Sequence, residues 1–224
     1  MITLYISLFP IDDSDRNQEI LSCLESNLRN KYIDRIVILN EGFVHPILNV
    51  AKVINIPFDR RPFFCDFQPY LDTDSINIIA NCDIRFDSTL KRVQWLFIKN
   101  GDLLALTRKE KNGKLLRADL GDAQDAWVFK GKPDCLKFCD FYMGLPGCDG
   151  RLNYLFYKGG YRVLNPSKYI HVFHEHLSEA RNYNDNDRVE GNYLLCKPIH
   201  FLAFHWYRIQ LFFIQTRRIN YFTS

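Results

Sequence analysis

The sequence predicts a single α/β domain in which a doubly wound, mainly parallel sheet is flanked by helices. In the first half of the chain, β-branched and aromatic runs alternate with segments of helical period, which is the pattern of βαβ units. The run at 76–80 is almost wholly apolar, as expected for a central parallel strand that is covered on both faces. With 224 residues and a 47% apolar composition, the chain can bury one full core.

The elements of the first half follow in a regular order. Strands are predicted at 2–9, 33–39, 50–58 and 76–80. A helix is predicted at 14–30 with Ser14 as a candidate N-cap. Its apolar residues fall on one face, namely Ile20, Leu21, Cys23, Leu24 and Leu28. The aromatic-rich stretch 61–71 is predicted to be a short helix or an irregular segment.

The second half of the chain is less regular. Strands are predicted at 103–106 and 127–129, and a helix around 151–157. No repeat or linker divides the chain, so residues 1–198 are predicted to form one domain. Residues 199–224 are predicted to form an aromatic helical tail. That tail docks on the domain, or it contacts a second subunit or the surface of a membrane.

Composition and charge exclude several classes of protein. A net charge of +3 gives no basic field of the kind that binds nucleic acid. The apolar residues 1–10 have no basic segment before them and acidic residues directly after them, so we expect a buried strand rather than a signal peptide. Seven cysteines without such a leader favour a reducing, cytoplasmic location. Their spacing does not favour a structural zinc site.

Polar residues follow each of the first four predicted strands. Ligands of doubly wound sheets bind beyond the carboxyl ends of the strands, so these residues are expected to border a binding site. They are Ser7 and Phe9 after the first strand, Asn40 and Glu41 after the second, Asp59, Arg60 and Arg61 after the third, and Asn81 and Asp83 after the fourth.

The segment Asn81-Cys82-Asp83 is the strongest candidate for a metal site. It puts two oxygen-bearing side chains on the same side of the chain, directly after a buried strand. Oxygen ligands suit Mg²⁺ and Mn²⁺, which share their coordination shell with substrate phosphates. The alternative is that Asp83 or Asp87 caps a helix that begins near Ser88.

The longer segment NCDIRFD resembles the Asn-x-Asp-Ile-x-Phe-Asp variant of the DxD motif in GT-A glycosyltransferases. The likeness covers residues 2–183. Over this range the sequence resembles small enzymes of bacterial surface-polysaccharide clusters and of large algal viruses. Other matching stretches are ITLYISLF, CLESNLRNKYIDRIVILNE, RRPFFCDF, QDAWVF, PGCDGRLNYLFYKGGYRVLNPS and HVFHEHLSEARNY. Because Asn81 replaces the first Asp of the motif, metal binding is expected to depend chiefly on Asp83.

The resemblance implies a general base in the second half of the chain. Asp149 matches a position where these enzymes often carry an acidic residue that deprotonates the acceptor hydroxyl. The alternative is that Asp149 caps the following helix. Asp125 is a second candidate base, or it binds hydroxyl groups of donor or acceptor. Trp127 either stacks on a sugar ring or is buried.

The resemblance also implies a histidine that completes the metal site. His174 fits that position best and His176 is the reserve candidate. Arg181 is expected to bind a donor phosphate. At the predicted strand ends, Arg61 is expected to bind the diphosphate or the base, and Glu41 the ribose or uracil.

These assignments predict a metal-dependent glycosyltransferase, with Mn²⁺ or Mg²⁺ as cofactor. A nucleotide diphosphate sugar, with UDP favoured, donates its sugar to a hydroxyl of a glycan or lipid-linked acceptor, with inversion. One rival function is a sugar nucleotidyltransferase, although the glycine-rich loop of such enzymes is absent after the first strand. The other is a non-catalytic binding subunit of the same fold. No P-loop or Rossmann glycine motif supports an ATPase or an NAD enzyme.

Overall fold

The computed structural model describes residues 1–95, 100–110, 112–174 and 187–199. The described strands are β1 (Ile2–Leu8), β2 (Arg35–Asn40), β3 (Val53–Pro57), β4 (Ile76–Ala80), β5 (Ile84–Phe86), β6 (Asp102–Leu106), β7 (Ala126–Lys130), β8 (Arg162–Leu164) and β9 (Val172–His174). The described α-helices are α1 (Ser14–Arg29), α2 (Lys91–Trp95) and α3 (Cys148–Lys158). Short 3₁₀ helices lie at Pro46–Asn49, Phe64–Tyr70, Ser88–Leu90 and Asp134–Phe138.

Seven strands form one sheet in the order β3-β2-β1-β4-β7-β6-β8. Within it, β1 pairs with β2 and β4 in parallel, and β2 pairs with β3 in parallel. β7 runs antiparallel to both of its neighbours, β4 and β6, while β8 is again parallel to β6. The predicted α/β fold class with a mainly parallel sheet is therefore confirmed.

The two faces of the sheet carry separate apolar clusters. One contains Leu4 of β1 together with Ile20 of α1, and the other contains Tyr5 of β1 together with Phe156 of α3. Because successive residues of a strand point to opposite faces, α1 and α3 cover opposite sides of the sheet. This is the doubly wound arrangement. Trp127 is fully buried in the α3 cluster, so the alternative that it stacks on a sugar is wrong.

The crossovers of the parallel half are of two kinds, and the short helix predicted within 61–71 is present as a 3₁₀ helix. Only the β1–β2 connection contains an α-helix, whereas the β2–β3 and β3–β4 connections contain the 3₁₀ helices Pro46–Asn49 and Phe64–Tyr70. The β3–β4 connection includes Pro69, which cannot donate the backbone hydrogen bond that an α-helix requires.

The N-cap of α1 lies one residue before the predicted position. The N-cap after β5 is the predicted Asp87. Asp13 rather than Ser14 is the N-cap of α1, and its side chain accepts a 2.7 Å hydrogen bond from the Arg16 amide. Asp87 caps the 3₁₀ helix at Ser88–Leu90 by accepting from the Thr89 amide at 2.8 Å. Asp83 does not act as a cap, which leaves its carboxylate to other partners.

A second, two-stranded sheet was not predicted from the sequence. β5 and β9 pair antiparallel, with Ile84 opposite His174 and Phe86 opposite Val172. α1 holds this sheet through Asn27, whose side chain donates to the Ile84 carbonyl at 2.8 Å and accepts from the Phe86 amide at 3.0 Å. The segment that follows Asp83 is thereby fixed against α1.

In the part of the chain that the structure describes, no helix combines the length and apolar character needed to span a membrane. The predicted aromatic tail lies almost wholly outside the described residues, which end at Ile199.

Candidate functional site

A cleft of about 950 Å³ lies at the carboxyl ends of β1 and β4. It is at the rim where strand-end residues were expected to meet. Eight residues that the sequence analysis selected line this cleft, namely Ser7, Phe9, Arg61, Asn81, Asp83, Asp125, Asp149 and His174.

Asp83 lies in the turn between β4 and β5, where it is 7% exposed. His174 reaches it from the end of β9, because the β5–β9 register puts His174 directly across from Ile84. The His174 Nε2 atom lies 2.9 Å from Asp83 Oδ2. On its other side, Asp83 Oδ2 accepts a hydrogen bond from Arg16 Nη2 at 2.6 Å.

Glu19 of α1 lies under this pair and was missed by the sequence analysis. It is 0% exposed, and its Oε1 atom lies 3.2 Å from His174 Nε2 and 3.0 Å from Arg16 Nη1. The available signal was a polar stripe on α1 at spacings of three and four residues, which puts its members on one helical face. The polar members of that stripe are Arg16, Glu19 and Asn27, with the small apolar Cys23 between the last two.

The Asp83 carboxylate is strongly stabilised in its charged form. Burial acts to raise its pKa, but the hydrogen bonds and positive charges of His174 and Arg16 outweigh burial. The pKa of Asp83 is therefore held well below its usual range, and the group is ionised at any physiological pH.

The same residues fit a divalent cation in their chemistry. Glu19, Asp83 and His174 each offer a ligand atom, and these atoms lie within 4.8 Å of one another. Among the described residues, Asp83 Oδ1 and Glu19 Oε2 are buried without a hydrogen-bond partner. Two carboxylates and an imidazole are a donor set that Mn²⁺ accepts.

Asp125 stands beside the metal candidates because β7 is antiparallel. Its position just before β7 brings it to the rim at which β4 and β6 end, where Asn81 Nδ2 donates to Asp125 Oδ1 at 3.1 Å. Arg108, which the sequence analysis did not select, also contacts Asp125 Oδ1 at 2.9 Å. Burial raises the pKa of Asp125, although the charge of Arg108 opposes this.

Asp149 lies in the first turn of α3 but does not cap it. The N-cap position is Gly147, and Asp149 Oδ2 instead accepts from the backbone amide of Gln124 at 3.2 Å. Cys148 Sγ donates to the other carboxylate oxygen at 3.1 Å. The capping alternative for Asp149 is therefore wrong. Burial, together with the negative charge of Asp125, raises the pKa of Asp149 to about 7.

Arg61 and Glu41 differ in their relation to the cleft. Arg61 lines it and donates to the Met143 carbonyl at 2.6 Å. Glu41 is half-buried just beyond β2, where its amide donates to the Leu8 carbonyl, and it does not line the cleft. Asn40 is engaged in a local turn with Phe43.

Arg60 is held outside the cleft by a two-pronged ion pair with Asp66. The reserve metal ligand His176 and the predicted phosphate ligand Arg181 lie outside the described residues.

A segment close to the end of the described chain closes one side of the cleft. We call residues 187–199 the covering segment. Its backbone donates from Val189 to the Pro146 carbonyl at 3.0 Å and from Leu194 to the Gly150 carbonyl at 2.8 Å. Tyr193 from this segment packs against the start of α3 and lines the cleft. The sequence offered no signal for it, because the segment has no regular periodicity.

Comparisons with known proteins give a fold but no family. No protein-family model and no curated protein matches the chain. One similar solved structure is the mannosyltransferase PcManGT from Pyrobaculum calidifontis in complex with GDP-Man and Mn²⁺, with 13% identity, a TM-score of 0.53, and coverage of 81% of this chain and 58% of that one. Another is Staphylococcus aureus TarS 1-349 in complex with UDP-GlcNAc, with 12% identity, a TM-score of 0.53, and coverage of 80% and 61%.

The chain has a GT-A-type fold. A further structure of TarS 1-349 gives a TM-score of 0.56 at 12% identity, over 77% of this chain and 60% of that chain. This chain thus spans about three fifths of the length of these three structures. At such low identity the likeness establishes the architecture, and the chemistry has to be argued from the site.

Proposed function

We propose that this protein is a glycosyltransferase that moves a sugar from a nucleotide diphosphate sugar to an acceptor hydroxyl, with inversion at the anomeric carbon. One observation carries the proposal. Metal-ligating side chains at Asp83 and His174 and a separate half-buried carboxyl, Asp149, whose pKa is raised to about 7, line the same cleft of a GT-A-type fold. Glycosyl transfer needs both, because the leaving diphosphate must be neutralised and the acceptor hydroxyl must lose a proton.

The proposed cofactor is Mn²⁺ or Mg²⁺, held by Asp83 and His174, with Asn81 beside them and His176 as the reserve ligand. When bound, the cation would neutralise the negative charge that develops on the leaving diphosphate. The protein residues keep the two ligands in place. His174 is fixed by the β5–β9 pairing, and Asp83 by the turn in which the Ile84 amide donates to the Asn81 carbonyl.

The donor is proposed to bind at the ends of β1 and β3. Ser7, Phe9 and Arg61 line the cleft there, and Arg61 has a planar set of donors that suits a phosphate. Arg181, outside the described residues, is also proposed to bind the donor, and Glu41, which does not line the cleft itself, is proposed to reach the nucleotide from the end of β2. UDP is the favoured nucleotide. The neighbours of the same fold were solved with GDP-Man or UDP-GlcNAc, which supports a nucleotide sugar as the donor class.

Asp149 is proposed to act as the general base. A carboxylate with a pKa of about 7 is basic enough to accept the acceptor proton and is still substantially ionised near neutral pH. Asp125 is the second candidate, but its ion pair with Arg108 and its hydrogen bond from Asn81 favour a role in binding hydroxyl groups.

The proposed acceptor is a glycan or a lipid-linked sugar in polysaccharide synthesis. In this proposal residues 1–198 are the catalytic domain, and the tail from 199 to 224 contacts the domain, a second subunit or the membrane surface. The resemblance to enzymes of bacterial surface-polysaccharide clusters supports that context.

A non-catalytic binding subunit is the second candidate function. The observation that favours it is the Arg16 guanidinium, which already contacts Asp83 Oδ2 at 2.6 Å, while Asn81 replaces the first acidic residue of the motif. A protein that binds nucleotide sugars without metal would carry such an arrangement.

The deciding experiment is a donor-hydrolysis screen over UDP- and GDP-sugars with Mn²⁺, in which wild type is compared with Asp83→Ala. We expect the variant to lose about 100-fold or more in rate, since a bound cation contributes several kcal/mol to the transition state. Asp74→Ala, an exposed acidic residue before β4, is the matched control for charge and should retain full activity. Equal hydrolysis by wild type and Asp83→Ala contradicts the proposed metal site. No hydrolysis of any donor by wild type favours the binding subunit.

A further inference from the structure

Glu19 is a fully buried acidic residue in a helix whose inner face is otherwise apolar or amide-bearing. Its side chain is 0% exposed, and it lies on the face of α1 that packs against β5. An ionised carboxylate in such a position is costly unless a cation compensates it. Whether the Glu19 carboxylate stays ionised therefore depends on the positive charges next to it.

Arg16 is the permanent cation of this cluster. One guanidinium reaches two carboxylates, through Nη1 to Glu19 Oε1 at 3.0 Å and through Nη2 to Asp83 Oδ2 at 2.6 Å. The Arg16 side chain is 19% exposed and lines the cleft, whereas Glu19 lies behind it and does not. Arg16 thus stands on the open side of the cluster, where a ligand would enter.

The charges of the cluster leave room for more positive charge. With His174 neutral, as a metal-ligating imidazole must be, Glu19 and Asp83 contribute two negative charges and Arg16 contributes one positive charge. Among the described residues, Glu19 Oε2 and Asp83 Oδ1 are buried without a hydrogen-bond partner. Arg16 uses only one oxygen of each carboxylate, so the other two oxygens lack the partners that buried acceptors normally have.

We infer that Glu19 is a third protein ligand of the divalent cation at Asp83 and His174, and that Arg16 occupies the cation's place until the cation displaces it. This inference rests on the proposed function, because it concerns the same cation. A divalent ion replaces one positive charge with two, and it takes oxygen ligands at short range, as the two unpartnered carboxylate oxygens require. The flexible Arg16 side chain is in the first turn of α1 and can move toward the open cleft without any change in the fold.

The test measures Mn²⁺ affinity directly, by calorimetry and by the electron paramagnetic resonance signal of free Mn²⁺, without substrate. We expect Glu19→Gln to weaken Mn²⁺ binding by at least about 10- to 100-fold, since even the loss of a group that only supports a metal ligand typically has that effect. Arg16→Met should strengthen binding, because the competing cation is removed. The matched controls are Glu25→Gln and Arg29→Met, which remove the exposed ion pair of the same helix and should leave the affinity unchanged.

The outcomes separate this inference from the proposed function. If Asp83→Ala abolishes Mn²⁺ binding while Glu19→Gln binds as wild type does, the inference fails and the proposed metal site stands. If neither wild type nor Arg16→Met binds Mn²⁺, both fail. Circular dichroism verifies folding of each variant. An Arg16→Met protein that folds only with Mn²⁺ supports the inference, and Glu19→Asp, which shortens the side chain, replaces Glu19→Gln if that variant does not fold.

Discussion

Asp83 and Asp149 are acidic residues of the same cleft whose pKa values are shifted in opposite directions by their neighbours. Burial acts on both carboxyl groups to raise the pKa. At Asp83 the positive charges of His174 and Arg16 reverse that effect, whereas at Asp149 the negative charge of Asp125 adds to it. Environments that shift the pKa values of two acidic groups in opposite directions are typical of sites where one group binds a positive charge and the other transfers protons.

The role proposed for Asp149 predicts a specific pH dependence. Only the carboxylate form accepts a proton, so with a pKa of about 7 the value of kcat/KM should fall about tenfold for each pH unit below 7 and level off above it. Asp149→Asn should lower the rate by about 10²- to 10⁴-fold and should remove this dependence. Sugar transfer measured between pH 5 and 9 tests both expectations.

Asp140→Asn is the matched control for Asp149→Asn, because Asp140 is an exposed acidic residue that precedes the same helix. Its profile should be that of the wild type. An Asp149→Asn protein that keeps the wild-type rate would exclude Asp149 as the base and would leave Asp125 as the candidate.

At the scale of elements, the helix α1 and the small β5–β9 sheet together position the residues of the candidate cation site. β5 follows Asp83 directly, β9 ends at His174, and α1 contributes Arg16 and Glu19. Asn27 connects them through two hydrogen bonds to the backbone of β5. The precision of the site therefore depends on regular elements rather than on loops, which suits a site that must hold a cation.

The contact between the covering segment and Gly121 gives a prediction at the scale of elements. Gly121 and Gly113 both have positive φ, at 70° and 76°. A Cβ atom at Gly121 would lie 2.7 Å from the Lys197 amide nitrogen, whereas one at Gly113 would meet nothing within 4 Å. Gly113→Ala should lower the free energy of unfolding by about 1–2 kcal/mol, the cost of a left-handed conformation.

Gly121→Ala should cost about 1–3 kcal/mol more than Gly113→Ala, because the backbone of the covering segment must move. It should also expose residues 187–199 to proteases, since the hydrogen bond from the Cys196 amide to the Gly121 carbonyl at 2.7 Å would be strained. Denaturant unfolding and limited proteolysis of the two variants measure these effects. Identical behaviour of the pair would mean that the segment is not held at Gly121.

At the scale of the whole molecule, the cleft at the carboxyl rim predicts stabilisation by nucleotides. A ligand at 100 times its Kd stabilises the folded state by about 2.7 kcal/mol. For a domain of this size that corresponds to a rise in Tm of about 5–10 °C. We expect UDP with Mn²⁺ to give the larger shift and UDP without metal the smaller one, as measured by thermal denaturation with UDP, GDP and Mn²⁺.

Asp83→Ala provides the internal comparison, because it should lose the Mn²⁺-dependent part of the shift. If neither UDP nor GDP stabilises the wild type, with or without Mn²⁺, the transferase proposal is wrong.

Much of the fold was predictable because its signals are local. The apolar run of β4 and the helical period of α1 are visible in consecutive residues, and both were predicted to within a residue or two. β5, β8 and β9 have three residues each and were missed, since such short strands carry no periodicity. The antiparallel direction of β7 was not predicted either, because periodicity does not report strand direction.

The sequence by itself determined which polar residues follow buried strands, and so it selected Asn81 and Asp83 as the rim of a site. Only the tertiary structure decided that Glu19 and Arg16 of α1 join Asp83, and that Trp127 faces the core. The physical reason is that a cation site requires atoms within a few ångströms of one another. Helix packing and strand register set such distances between residues that are far apart in the chain.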